Sequence, residues 1–256
     1  MKKTLLAIFA LIAALSANAQ LNMQLHYDLG SAINSDSEDN RQKFTGTLEY
    51  FRADKLGSTF LFVDMDYRGK GENNNGAIGT YWEIGRDFTV ADIKNTNSSI
   101  TAHMEYDAGL STSAGSFQQA LLAGPAWQWH SADFSKTFTL QALYKHYLKH
   151  GGNDAHASFQ TTAVWGVNFA QGLCTFSGFA DLWYGYIPKF EAGKQKKGMV
   201  FLAEPQFWLN VVGRDRQNDR FSIGTEWEVS NNFIWPTKGS DKSFFVNPTL
   251  AVKYTF

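Results

Sequence analysis

The sequence predicts an all-β chain closed into an antiparallel transmembrane β-barrel of about 12 strands, of the outer-membrane type. Three observations carry this expectation. Apolar and polar residues alternate with a two-residue period in segment after segment along residues 20–256. The chain holds 8 Trp, 10 Tyr and 21 Phe, yet beyond its first twenty residues no apolar run is long enough for a membrane helix. The last strand, NPTLAVKYTF, keeps its apolar face up to Phe256 itself.

The first element is a leader. Residues 1–19, MKKTLLAIFALIAALSANA, place Lys2 and Lys3 before an apolar run from Leu5 to Leu15 and end on Ala17-Asn18-Ala19, which is the layout of a secretory signal peptide. The expected organisation is therefore a signal peptide over residues 1–19 and one barrel over residues 20–256. With 23 Lys and Arg against 24 Asp and Glu, the chain lacks the basic excess of a nucleic-acid binder, and no nucleic-acid partner is expected. Cys174 stands alone, so no internal disulfide forms.

The strands follow in order. Leu21, Met23, Leu25, Tyr27 and Leu29 alternate with Asn22, Gln24, His26 and Asp28. Phe44 to Tyr50, Phe60 to Tyr67, Ile78 to Ile84 and Ile100 to Asp107 repeat the pattern. Leu121 to Trp129, Phe138 to Tyr147, Ala157 to Phe169, Thr175 to Tyr184, Val200 to Val211, Phe221 to Val229 and the terminal strand complete the set. The faces are least distinct at Leu121 and Leu122, both apolar, and at Phe176 and Phe179, which fall on opposite sides. Long connections such as SAINSDSEDNRQ, RGKGENNNGA, LKHGGNDA, GYIPKFEAGKQKKG and NNFIWPTKGSDKS alternate with shorter ones such as RADKLGS and FAQG.

A strand edge left unpaired in hydrocarbon is not tolerated, so such a sheet must close on itself. An even strand number, short turns alternating with long loops, and one apolar face per strand are the marks of an outer-membrane barrel. Its partners are then the outer-membrane bilayer and, through Tyr254 and Phe256, the barrel-insertion machinery. A soluble β-sandwich or lipocalin-like barrel would have to bury nearly all these aromatic residues in one core. Twelve strands about 4.8 Å apart, tilted near 40°, give a backbone diameter of roughly 24 Å, which side chains narrow to roughly 10 Å. That width suits a small solute.

The inward face is acidic. Asp28, Asp64, Asp66, Glu105, Asp107, Asp181, Glu226 and Glu228 project into its outer half, and Glu49, Glu83 and Glu204 nearer the middle, with Lys43, Arg68, Lys145 and Lys253 as counter-charges. Such a field rejects anions and passes neutral or cationic solutes. Inward rings at Phe60, Phe62, Tyr81, Tyr147, Phe179, Trp183 and Trp208 either pack on one another or stack on a passing solute. Rings among carboxylates and amides such as Gln206 and Asn247 suit a flat heterocycle bearing hydroxyls. The candidate solute-binding residues are Phe60, Phe62, Asp64, Asp66, Tyr81, Glu83, Asp181, Trp183, Glu204 and Gln206.

The segments GFADLWYG (Gly178 to Gly185), LAEPQFWL (Leu202 to Leu209), FLFVDMDY (Phe60 to Tyr67) and NPTLAVKYTF resemble the corresponding strands of the Tsx family, nucleoside-specific channel-forming outer-membrane proteins. The resemblance covers residues 20–256 in length, strand number and order. It implies a narrow monomeric barrel that passes nucleosides, with lumen contacts at Phe62, Asp64, Asp181, Trp183, Glu204 and Gln206.

Catalysis is not expected. His103, Glu105 and Asp107 share one inward face, as a barrel hydrolase would require, but strand neighbours two apart lie about 7 Å from each other, too far for a base and its orienter without help from an adjacent strand. No Gly-x-Ser-x-Gly elbow, His-Glu-x-x-His or phosphate-cradling motif is present. No cofactor and no metal are expected; the loop acids Asp36, Glu38 and Asp39 lack ligand spacing for Ca2+ and read as a solvated charge run. A structural or plugged barrel is the alternative to a channel.

Overall fold

Twelve strands build the fold in the computed structural model, which describes residues 20–34, 42–68, 76–112, 115–150, 153–191, 194–211, 221–236 and 239–256. They are β1 (Gln20–Asp28), β2 (Phe44–Asp54), β3 (Gly57–Arg68), β4 (Gly76–Ile93), β5 (Ser98–Ser111), β6 (Ala120–His130), β7 (Lys136–Tyr147), β8 (His156–Phe169), β9 (Cys174–Glu191), β10 in two arms (Lys194–Ala203 and Gln206–Asn210), β11 (Phe221–Asn231) and β12 (Phe244–Thr255). Each pairs antiparallel with its sequence neighbours, and β12 returns to β1 through Met23↔Tyr254 and Leu25↔Val252. The sheet is therefore a closed up-and-down barrel, and Phe256 N–H donates to Leu21 O at 2.9 Å across the closing seam. The leader and Asp36, Glu38 and Asp39 lie outside the described residues.

Closure explains the alternation, because every strand has one face outside and one inside. Met23, Leu25 and Tyr27 are exposed on β1 while Asn22, Gln24, His26 and Asp28 are buried. The same division holds on β12, with Leu250, Val252 and Tyr254 out and Asn247, Thr249 and Ala251 in. An apolar exterior on a sheet without edges is the lipid-facing surface of an outer-membrane barrel, and the outer membrane is where this chain resides.

The ambiguous strands resolve by packing. Leu121 is 47% exposed and faces lipid, whereas Leu122 is 3% exposed and joins Ala120, Leu143 and the partly buried Tyr147 in a small apolar cluster inside the barrel. Phe176 faces outward and stacks on Trp165 at 5.9 Å. Phe179 shares its face with Asp181 and lines the lumen.

The short turns lie at the barrel end that carries Gln20 and Phe256. Asp54 closes the β2–β3 turn by accepting both terminal guanidinium nitrogens of Arg86 at 2.8 Å. Asp133 closes the β6–β7 turn with hydrogen bonds from the Ser131 hydroxyl and from both the backbone and hydroxyl of Ser135. Those donors hold its carboxyl well below the usual carboxylate range.

Three local features depart from the expectation. The described residues of the stretch GYIPKFEAGKQKKG are strand and not loop: β9 runs on to Glu191 and β10 begins at Lys194, with Tyr186↔Lys197 and Glu191↔Lys194 paired around a register shift. The run Val200 to Val211 is not one continuous strand. It breaks at Glu204-Pro205, where Pro205 offers no N–H to a ladder, and Gly178 opposite, at φ +144°, lies so close that a Cβ there would meet Glu204 O. Finally, the first long connection begins as a single helical turn, α1 (Gly30–Ile33), folded against β12. Gly30 leaves no room for a Cβ beside Asn247, and Asn34 Nδ2 donates to Asn247 Oδ1 at 2.8 Å.

Candidate functional site

Alternation carries every candidate residue to the inside. Phe60, Phe62, Asp64 and Asp66 descend one face of β3, and the β3–β4 register sets Asp64 opposite Tyr81 and Phe62 opposite Glu83. Asp181 and Trp183 stand on β9, while Glu204 and Gln206 flank the break in β10. The sequence order thus distributes the candidates over two walls, one from β3–β4 and one from β9–β10.

The carboxylates are held by hydroxyls and amides. Thr45 Oγ1 donates to Asp66 at 2.7 Å, Thr47 Oγ1 to Asp64 at 2.5 Å and Thr162 Oγ1 to Asp181 at 2.5 Å. Tyr81 donates its phenol proton to Glu83 at 2.8 Å, Gln206 Nε2 donates to Glu226 at 2.6 Å, and Asn22 Nδ2 donates to Glu49 at 2.8 Å. In each pair a neighbouring strand or the next inward position supplies the donor, as the register requires. Charge-assisted bonds of this kind fix the oxygens in place.

The acids expected as a mouth and a middle layer form one electrostatically connected set. Glu204 feels the charges of Glu226, Asp64, Glu228 and Glu83, which come from three different strands, β11, β3 and β4. Glu83 feels Glu105, Asp107 and Asp181. Because β3–β5 and β9–β11 contribute from separate parts of the circumference, the two walls face each other across the lumen.

Two cations are built into this wall. Lys145 is buried, with its ammonium 3.1 Å from Asp107 Oδ2 and 2.8 Å from Gln160 Oε1, and it stands 5.4 Å from the ring centres of both Tyr147 and Trp183. Lys253 lies 4.1 Å above the Trp208 ring. A cation over an aromatic face is attracted by the ring quadrupole.

The rings pack on protein partners as well as facing the lumen. Phe60, Phe62 and Tyr81 form a ladder with centroids 6.0 and 5.8 Å apart, and Trp183 meets Phe233 edge-on at 6.0 Å. Trp208 is completely buried; His26 meets its ring edge-on at 6.1 Å and Gln206 Oε1 accepts its indole proton at 2.9 Å. Together with Lys253 it occupies the lumen beside the candidate residues.

Two functional-looking groups were missed or misjudged in the sequence. His26 lies in the same wall, 3.1 Å from Thr249 Oγ1 and 3.6 Å from Glu226 Oε1; its place in the polar half of β1 was the available signal. His103 does reach its neighbour, because Nε2 lies 3.1 Å from Glu105 Oε2 and Nδ1 lies 3.2 Å from Asp87 Oδ1. The 7 Å spacing between strand positions ignored the length of the two side chains.

A family profile described as a domain of unknown function (DUF5020) matches residues 19–256. The chain belongs to that family. No curated protein sequence matches this DUF5020 chain. Among solved structures, it is similar to the NanC porin, with a TM-score of 0.56 at 9% identity over 92% of this chain and 100% of that one. It also matches Pseudomonas aeruginosa OccK5 (OpdH), with a TM-score of 0.41 at 8% identity over 93% of this chain and 62% of that one. The Acinetobacter baumannii outer membrane protein Omp33 gives a TM-score of 0.38 at 10% identity over 93% and 98%. The likeness to the NanC porin gives the DUF5020 barrel a porin-like outer-membrane fold.

Proposed function

We propose that this barrel is an outer-membrane channel for the diffusion of small hydrophilic solutes, with nucleosides as the class its lumen suits best. The observation that carries the reading is the pair of facing acidic walls with aromatic rings set between the carboxylates. Phe62, Tyr81 and Trp183 offer faces to a flat base, and Asp64, Asp66, Glu83, Asp181, Glu204 and Gln206 offer hydrogen bonds to its sugar. The resemblance of the Phe60 to Tyr67, Gly178 to Gly185 and Leu202 to Leu209 segments to the Tsx family supports the same solute. The acids favour neutral and cationic solutes over phosphorylated ones. The protein acts as a monomer without catalysis, and Tyr254 and Phe256 serve as its insertion signal.

A second reading, a plugged barrel, is favoured by one observation: Trp208, Phe245 and Asn247 are completely buried inside the wall. Planar-bilayer recording separates the two. A channel gives discrete open-state current that millimolar adenosine reduces; a plugged barrel gives none.

A further inference from the structure

Glu83, Glu105 and Asp107 come from adjacent strands, and their register brings them together: Glu83 faces Asp107 directly, and Glu105 faces Gly85. One carboxylate oxygen from each lies within 4.8 Å of the other two. Like charges directly opposite on paired strands are destabilising, so this arrangement needs a compensating charge. Lys145 supplies one, through Asp107 Oδ2. His103, whose Nε2 lies 3.1 Å from Glu105 Oε2, supplies a second when protonated, and three carboxylates still outnumber these two partners.

A separate observation indicates where compensation is missing. Asp107 is 4% exposed, and its Oδ1 is buried without a hydrogen-bond donor. A buried carboxylate oxygen left without a partner is costly. The other two acids are likewise anchored through single oxygens, Glu83 Oε1 by Tyr81 and Glu105 Oε2 by His103. Gly85 adds no side chain beside Glu105, where a Cβ would stand 3.5 Å from Oε2 and 3.1 Å from the His103 ring.

We infer that Glu83, Glu105 and Asp107 bind one divalent cation in the barrel wall, and that Ca2+ fits it best. Hard oxygen donors select Ca2+ and Mg2+ over softer metals. Size decides between the two. Ca2+ takes donors at roughly 2.3–2.6 Å in a flexible shell that water can complete, which suits carboxylates fixed by strand register, whereas Mg2+ demands a near-ideal octahedron at roughly 2.0–2.1 Å. A divalent ion also offsets the carboxylate charge that Lys145 and His103 leave. Sequence spacing could not reveal this site, because its ligands are joined by strand register and not by a motif. The site shares Glu83 with the proposed solute path, but the inference does not rest on which solute passes.

Terbium luminescence tests it, because Tb3+ replaces Ca2+ and is sensitised by nearby aromatic rings, and Tyr81 is hydrogen-bonded to Glu83. Detergent-folded barrel, stripped with a chelator, is titrated with Tb3+ under excitation of its aromatic residues and then back-titrated with Ca2+. The expected result is saturable emission displaced by Ca2+, weakened at least about tenfold in the double variant Glu83→Gln, Glu105→Gln and unchanged in Asp133→Asn. Equal binding by wild type and double variant, or no Ca2+-displaceable emission, overturns the inference. Heat-modifiable migration confirms that each variant is folded. Should the double variant fail to fold, Glu83→Gln alone, which keeps an acceptor for Tyr81, serves in its place with the same criterion. No step of this assay requires transport, so its failure leaves the channel reading untouched.

Discussion

Replacing Trp208 by alanine removes the ring that fills the lumen beside Gln206. The structure sets the magnitude. The substitution deletes the hydrogen bond to Gln206 Oε1, worth about 1 kcal/mol. It deletes the Lys253 contact, worth about 0.5–2 kcal/mol, and the edge contact with His26, worth about 0.5–1.5 kcal/mol. These contributions agree with the roughly 3–5 kcal/mol lost when a buried Trp becomes Ala. Urea unfolding of the detergent-folded barrel reads this loss, and single-channel recording of the same sample reads its consequence. The ring lies on Gly224, where a Cβ would stand 2.6 Å from Trp208 Cε3, so β11 holds it inward. Trp208→Ala is therefore expected to raise open-state conductance while lowering stability. A folded variant whose conductance equals that of the wild type would show that Trp208 lies off the conduction path.

Further outcomes follow from the same geometry. Leu25 and Val164 are 48% and 40% exposed, but Val164 shares its face with Thr162, which bonds Asp181 in the lumen. Leu25→Arg should cost about 2–4 kcal/mol near the bilayer midplane, and Val164→Arg much less; equal losses in urea unfolding would mean that the faces are reversed. Asp64, Asp66 and Asp181 all accept threonine hydroxyls, so Asn at all three positions keeps an acceptor while removing charge. Adenosine monophosphate flux into liposomes should rise and adenosine flux should change little; unchanged monophosphate flux would refute the electrostatic barrier. Trp183→Ala removes a face worth about 1–3 kcal/mol to a stacked base. It should weaken adenosine block of the current without lowering ion conductance, and undiminished block would remove Trp183 from the site.

The fold was legible because a period of two has few solutions. Once each strand carries a single apolar face, as Leu21 to Leu29 and Phe244 to Phe256 do, closure and the inward set follow from sterics and lipid contact. What misled was local. Pro188 and Gly198 read as loop punctuation, yet paired arms around Tyr186 and Lys197 accommodate them in a ribbon. Pro205 was the visible sign of the break in β10, outweighed by the apolar alternation on either side of it. The site was legible by parity and hidden in its contacts. Alternation places Asp64, Glu83, Asp181 and Glu204 inside, but only register reveals that Tyr81 bonds Glu83 and that Lys145 bonds Asp107. His103 shows the same limit, since a spacing rule for backbone positions does not measure side-chain reach.

The account rests on the lumen being an open, acid-lined path that prefers flat neutral solutes, and planar-bilayer current tests this most directly. Wild-type barrel is recorded with adenosine, adenosine monophosphate and a hexose added in turn at equal concentration. Discrete open-state current that adenosine blocks more strongly than either of the other two is the predicted result. Equal, weak block by adenosine and hexose would contradict the nucleoside assignment and leave a general small-solute pore, and the absence of any open-state current would contradict the channel itself.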